Sequence, residues 1–314
     1  MDQIPPKEKI QEALRSAWQF DGSLIPVPGT GRLFSFKKNG ATFFARLNWA
    51  RGQFCPEEVV EFLNHLSTND APVPQIVPTL SGDLCIMIGD AVVLSVETDL
   101  GGKPCNSRHL HRLGAVGRGL AKIHLASEKF EKSRMRKKNL TGFVEVRLRR
   151  ALSRSLPGDL RDAIKTLQTE LQTTYEHLTQ TSVRWMTTHG DVWGPNVHTD
   201  GEKVGFTDLC NSFAPATVDL VMVQHRWLMN DLTRGRSLLK KEMLDFLRGY
   251  LSERPLSVGD RETFGVVWAA YYADQLSHYI EKPGTVRDAV LSRFDFEGQI
   301  RRLPLAVDEI RSLL

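Results

Sequence analysis

The chain has 314 residues, of which 41% are hydrophobic and 25% charged, and its 41 basic and 37 acidic side chains leave a formal charge of +4. These proportions are those of an ordinary globular protein long enough for one large core or two smaller ones, and so small a charge gives no reason to expect nucleic acid as a partner. No apolar run approaches membrane-spanning length, and the start, with Pro5 and Pro6, lacks the apolar centre of a secretion signal, so no membrane association and a cytoplasmic location are expected.

Lys7 to Phe20 carries Ile10, Leu14, Ala17 and Trp18 on one face at helical spacing, which predicts a leading amphipathic helix. Strand patterns follow: a short edge at Leu24 to Val27, then Leu33 to Phe36 and Thr42 to Leu47, joined by the hairpin dipeptide Asn39-Gly40. Between the edge and the next strand lies Pro28-Gly29-Thr30-Gly31-Arg32. Backbone N–H groups freed by Gly29 and Gly31, with Thr30 between them, could cover nucleotide phosphates, although an ordinary hairpin turn has the same composition. Arg46 falls where a kinase places its phosphate-gripping strand lysine, and its planar fork can hold phosphate in a bidentate way. A carboxylate partner is expected on the next helix, Pro56 to Leu66, where Glu58 and Glu61 are both candidates.

Two further strands, Leu84 to Ile88 and Val92 to Val96, complete a small antiparallel sheet, and after the Gly101-Gly102 break helical patterns dominate. The chain therefore divides into a nucleotide-binding lobe over 1–97 and a helical catalytic and acceptor-binding lobe over 98–314, an α+β arrangement. Four scattered cysteines, Cys55, Cys85, Cys105 and Cys210, form no metal-binding pair and are expected reduced and buried. Lys129 to Arg154 is rich in lysine and arginine and reads as a solvated connection between helices, or else as a surface for an anionic partner.

The strongest chemical signal is His189-Gly190-Asp191, followed by Asn196 and then Asp208, between short strands at Arg184 to Thr187 and Lys203 to Thr207. It reproduces the kinase spacing H-x-D-x-x-x-x-N with a further aspartate downstream. Asp191 is the candidate base that takes a proton from an acceptor hydroxyl, while Asn196 and Asp208 are candidate ligands for magnesium bridging the phosphates. His189 suits bracing of the loop rather than proton transfer. Asp219 opens a helix, where it either caps backbone N–H groups or braces the loop, and neither role is catalytic. Trp193, Trp227, Tyr271 and Asp274 are candidates for an acceptor pocket, since binding sites favour aromatic walls with few polar groups.

With Thr188 preceding the loop, Ala71-Pro72-Val73-Pro74, Leu100-Gly101-Gly102, Leu113-Gly114, Leu120-Ala121-Lys122-Ile123-His124 and Asp219-Leu220 in this order, the chain resembles the aminoglycoside phosphotransferase-like kinase superfamily, which includes choline and homoserine kinases and stress-response kinase A. The resemblance implies a two-lobed protein-kinase-like fold, ATP bound near Glu97, Thr98 and Leu100, and Asp191, Asn196 and Asp208 in the roles above. Arg46 in place of lysine and Thr207-Asp208-Leu209-Cys210 in place of Asp-Phe or Asp-Trp depart from it without removing a catalytic group. The expected activity is transfer of the γ-phosphoryl group of ATP, with Mg2+, to a hydroxyl on a small molecule. Rivals are a Ser/Thr protein kinase like stress-response kinase A and a nucleotide-binding interaction protein without turnover. A hydrolase using His189, Asp191, His198 and Asp208 on a metal would leave Asn196 unexplained.

Overall fold

The computed structural model describes residues 4–49, 55–105, 111–130, 140–156, 158, 161–162, 164–169, 184–201, 203–209, 212–223 and 240–281. A 12-residue helix, α1 (Lys7–Trp18), buries Ile10, Leu14 and Trp18 and ends where Gln19 turns left-handed at φ 51°. Five antiparallel strands follow, β1 (Ile25–Pro26), β2 (Leu33–Lys38), β3 (Ala41–Trp49), β4 (Ile86–Ile88) and β5 (Val92–Thr98), in the spatial order β1-β2-β3-β5-β4. The β2–β3 turn is Asn39-Gly40 with φ 53° and 82°, the positive values that a tight hairpin of this hand requires and that this dipeptide tolerates.

Strand alternation decides which side chains meet the helix and which meet the cleft. Ala45, Leu47, Leu94 and Val96 join Ile10, Leu14 and Trp18 in the core of the small lobe. Phe44 and Arg46, the alternate positions of β3, lie on the opposite face, and the register pairs Phe44 with Glu97 and Arg46 with Ser95. Helix α2 (Pro56–Thr68) starts with proline in its first turn and buries Val60, Leu63 and Leu66 in the core of the larger lobe, which ties the two halves together. The backbone adds a second tie, Phe206 N–H to the Pro72 carbonyl at 2.8 Å.

In the larger lobe α3 (Leu113–Ser127) packs on α5 (Lys240–Glu253), and α4 (Leu140–Leu152) packs on α6 (Val258–Glu281). The α3–α5 contact is backbone against backbone. A Cβ at Gly117 would collide with the Phe246 carbonyl, and one at Gly249 would collide with the carbonyl of Gly114. Strands β6 (Lys103–Pro104), β8 (Val197–Asp200) and β9 (Lys203–Phe206) form a three-stranded sheet, and β7 (Trp185–Thr188) pairs with β10 (Ser212–Pro215). Residues 217–223 are helical behind them.

Residues 140–152 correct the reading of the basic tract as a solvated connection. They form α4, with Val144, Leu148 and Ala151 fully or almost fully buried, because three apolar residues at helical spacing outweigh the charges that surround them. Cys105 is buried as expected, Cys55 and Cys85 are only half-buried, all three are free, and Cys210 lies outside the described residues. Among the described residues, no helix is long and apolar enough to cross a membrane.

Candidate active site

A cavity of about 530 Å3 opens between the lobes. Gly29 and Thr30 reach it from the β1–β2 turn, Leu33, Phe44, Arg46, Glu97 and Thr98 from the sheet, Asp99 and Leu100 from the segment joining the lobes, and Trp193, Asn196, His198, Thr207 and Asp208 from the larger lobe. Gly31 belongs to the same turn, where Gly29 and Gly31 have φ of 78° and 61°, a region glycine enters without steric cost.

The 189–196 loop follows from the strands that hold it. β7 ends at Thr188, directly opposite Ser212 of β10, and a short 3-10 turn over Gly194–Asn196 delivers the chain into β8. The Asn196 side-chain amide donates to the Asp191 backbone carbonyl at 2.9 Å and to its carboxylate at 3.0 Å. With the nitrogen committed to Asp191, the amide oxygen is the atom of Asn196 available to a cation. Thr207 N–H donates to the Asn196 carbonyl at 2.9 Å, so the residue before Asp208 is bound to the loop that carries Asp191. Asp208 itself takes a left-handed backbone with φ 57°, which aspartate tolerates better than most residues.

Arg46 organises the floor of the cleft. Its guanidinium holds the Glu97 carboxylate through two N–H groups, at 2.7 and 3.3 Å, and Asp208 through a third at 3.0 Å. Burial opposes the cation, but Glu97 and Asp208 more than offset it and hold the Arg46 pKa above its ordinary value. This corrects the expected partner. The ion pairs of Arg46 go to Glu97 and Asp208, not to Glu58 or Glu61 of α2, because the β3–β5 register puts Glu97 on the diagonal beside Arg46 on the same face. Glu97 therefore serves the site through its side chain, and Glu58 is not among the residues lining the cavity. Thr98 lines it, with its N–H and hydroxyl both bonded to the backbone of Gln75.

His189 is fully buried, and its Nδ1 accepts the Asp191 N–H at 3.3 Å. Burial drives its pKa below the ordinary histidine value despite the nearby carboxylates of Asp219, Asp191 and Asp208, which makes it a poor proton carrier at neutral pH. Asp219, also fully buried, accepts the His189 N–H at 2.7 Å and the Gly190 N–H at 2.8 Å.

The acceptor-side expectations divide. Trp193 lines the cavity. Tyr271 and Asp274 do not: each is about 1% exposed within the packing of α6. There Arg147 of α4 bonds Asp274 at 2.8 Å and covers the Tyr271 ring, and Arg154 bonds Asp274 at 2.9 Å, so half-buried cations neutralise the buried carboxylate. Trp227 lies outside the described residues. Sequence reasoning had given no role to Arg32, which reaches Asp208 at 3.4 Å, or to Phe44. Phe44 was recoverable, being two residues before Arg46 on one strand face.

A sequence profile described as the phosphotransferase enzyme family matches residues 44–256. The chain belongs to that family. No curated protein sequence matches it significantly. Solved structures supply the fold. An amicoumacin kinase, hAmiN, in complex with AMP-PNP, Ca2+ and amicoumacin superposes with a TM-score of 0.68 at 14% identity, covering 95% of this chain and 93% of its own. A microcompartment-associated aminopropanol kinase gives 0.66 at 15% identity over 95% and 97%. An aminoglycoside phosphotransferase from Alicyclobacillus acidocaldarius gives 0.66 at 15% identity over 100% and 98%. The architecture is thus the two-lobed protein-kinase-like fold, α+β, with a small antiparallel sheet before a mostly helical lobe.

Proposed function

We propose that this phosphotransferase moves the γ-phosphoryl group of ATP, with Mg2+, to a hydroxyl of a small molecule. The observation that carries this reading is one cavity lined by Asn196, Asp208, Arg46 and the turn residues Gly29 and Thr30, with Asp191 held beside it through its hydrogen bond to Asn196. Family membership supports a phosphotransferase, and neighbours bound to AMP-PNP or ADP together with an antibiotic support a nucleotide donor and a small acceptor. A metabolite acceptor and a nucleotide donor also fit work in the cytoplasm. The lobe boundary in this reading is drawn after Glu97, one residue before β5 ends at Thr98.

The donor set suits magnesium. Asp208 and the amide oxygen of Asn196 are hard oxygen ligands. Among the described residues, no group of three or more His, Cys, Asp or Glu side chains could hold a metal. When bound, the ion neutralises charge on the transferring group. Arg46 and the turn N–H groups of Gly29 and Gly31 grip the phosphates, the Thr30 N–H being bonded to the Val27 carbonyl, while Phe44, Thr98 and Leu100 line the region for the base. Asp191 orients the acceptor hydroxyl and takes its proton as the new P–O bond forms and the bond to the ADP oxygen breaks. Trp193 stands on the acceptor side. His189 and Asp219 hold the loop.

Nucleotide titration and phosphoryl transfer to a panel of aminoglycosides, amino alcohols and other hydroxyl metabolites provide the test. Asp191→Asn should bind ATP within about twofold of the parent and lose about 10^2 to 10^4-fold in transfer. Full transfer by that variant removes Asp191 as the base.

A further inference from the structure

Behind the 189–191 loop a chain of buried hydrogen bonds runs from Asp219 across α3 to the end of α5. His124 of α3 meets Asp219 through Nε2 at 3.0 Å and the Tyr250 hydroxyl through Nδ1 at 2.7 Å. Arg254, just past α5, donates to the same hydroxyl at 3.0 Å. His124, Asp219 and Tyr250 are fully buried, and Arg254 is 4% exposed. The guanidinium also holds Glu128 at 3.0 Å, and Glu128 in turn bonds Arg184 at 2.8 Å. Arg184 immediately precedes β7, the strand that delivers the loop. Both ends of β7 are therefore tied to one network.

With a neutral His124 ring the donors in this chain take one order. Arg254 can only donate, so the Tyr250 oxygen accepts from it. Burial pushes the Tyr250 phenol above its ordinary pKa, which keeps its proton available for the histidine. The Asp219 carboxylate can only accept, and it already receives the His189 and Gly190 N–H groups. The His124 ring, with an acceptor on one side and a hydroxyl donor on the other, is consistent only with hydrogen on Nε2.

We propose that Tyr250 and Arg254 are positioning residues: the sequence Arg254 to Tyr250 to His124 to Asp219 locks one tautomer of His124 and keeps both Asp219 oxygens turned to the loop that presents Asp191. Without the phenol hydroxyl, Nδ1 has no donor and the ring is held by the Asp219 carboxylate alone. The hydrogen bond that orients Asp219 then weakens, and the Gly190 and His189 amides lose a fixed acceptor. The kinetic arm of the test rests on Asp191 as the base, whereas the spectroscopic arms do not.

The experiment is nitrogen-15 NMR of the full chain with labelled histidine, the His124 signals being identified by their loss in His124→Gln. The wild type should show a single Nε2–H tautomer at neutral pH, with Nδ1 bearing the signature of an accepted hydrogen bond. In Tyr250→Phe that signature should vanish, the Gly190 amide should exchange about tenfold faster, and kcat should fall about tenfold with the nucleotide KM within about twofold. Arg254→Lys, which keeps a donor for the phenol, should retain most of the wild-type tautomer and kcat. A wild-type His124 protonated on Nδ1 overturns the donor order whether or not any variant folds. Unchanged Gly190 exchange and kcat in Tyr250→Phe, with only a lower melting temperature, reduces the network to a packing role and overturns the proposal.

Discussion

Asp208 lines the cleft with 33% of its side chain exposed and one oxygen shared by Arg46 and Arg32, whereas Asp219 is fully buried with both oxygens committed to loop amides and to His124. The partners of Asp208 are guanidiniums on long stems, and water already reaches the carboxylate, so a cation and phosphates can displace them at modest cost. The partners of Asp219 are backbone amides and a buried ring, for which no solvent can substitute. The two aspartates are thus divided by burial: one is placed to exchange partners and the other fixes the geometry of the loop.

The sharpest way to break this division is to neutralise each carboxylate in turn. Asp208→Asn should lower phosphoryl transfer about a thousandfold, the equivalent of several kcal/mol of lost charge stabilisation, while urea unfolding moves by less than about 0.5 kcal/mol. Asp219→Asn should do the reverse in emphasis, costing about 3 kcal/mol of stability in the same unfolding measurement, because an amide cannot accept from all three of its donors. A large stability loss in the first variant, or none in the second, erases the distinction.

Glu97 lies between the two cases, being 5% exposed yet facing the cavity between the lobes. Glu97→Gln leaves Arg46 paired only with Asp208, and a loss of about 2 kcal/mol by urea unfolding is expected, with weaker discrimination between ATP and adenosine in binding titrations. A smaller effect belongs to His189. Its folded-state pKa is depressed by burial, while an unfolded histidine titrates near about 6.5. Unfolding therefore takes up a proton below about pH 6.5, so the stability of the neutral ring is complete above that value and is lost as pH falls toward the folded-state pKa. Melting temperatures between pH 7.5 and 5.5 should fall less steeply in His189→Gln than in the parent, and equal slopes would count against burial of a neutral ring.

Local chemistry was legible in the sequence where residues close in the chain act together. Asp191 and Asn196 are five apart and hydrogen-bond each other, and Asn39-Gly40 turns as its composition dictates. Partnerships set by packing were not legible. Glu97 meets Arg46 only because β3 and β5 pair in one register, and nothing in the pattern of α2 warned that Glu58 and Glu61 would be passed over. Asp274 looked like a pocket residue beside aromatics, but Arg147 and Arg150 of α4 and Arg154 just past it surround it, a contact formed across more than a hundred residues. Strands β6 and β10 escaped notice because two to four residues carry too little alternation to register. His124 stood out as part of a motif, yet its link to Tyr250 depends on how α3 and α5 cross.

That crossing leaves no room for side chains at Gly117 or Gly249, where main chain touches main chain. Alanine at either site would wedge the helices apart and carry the phenol out of reach of the imidazole, at a place no substrate ever visits. Inactivating changes in a random library should accordingly gather at two spots, one in the crevice and one at this seam, and the seam variants should still bind nucleotide while turning it over slowly.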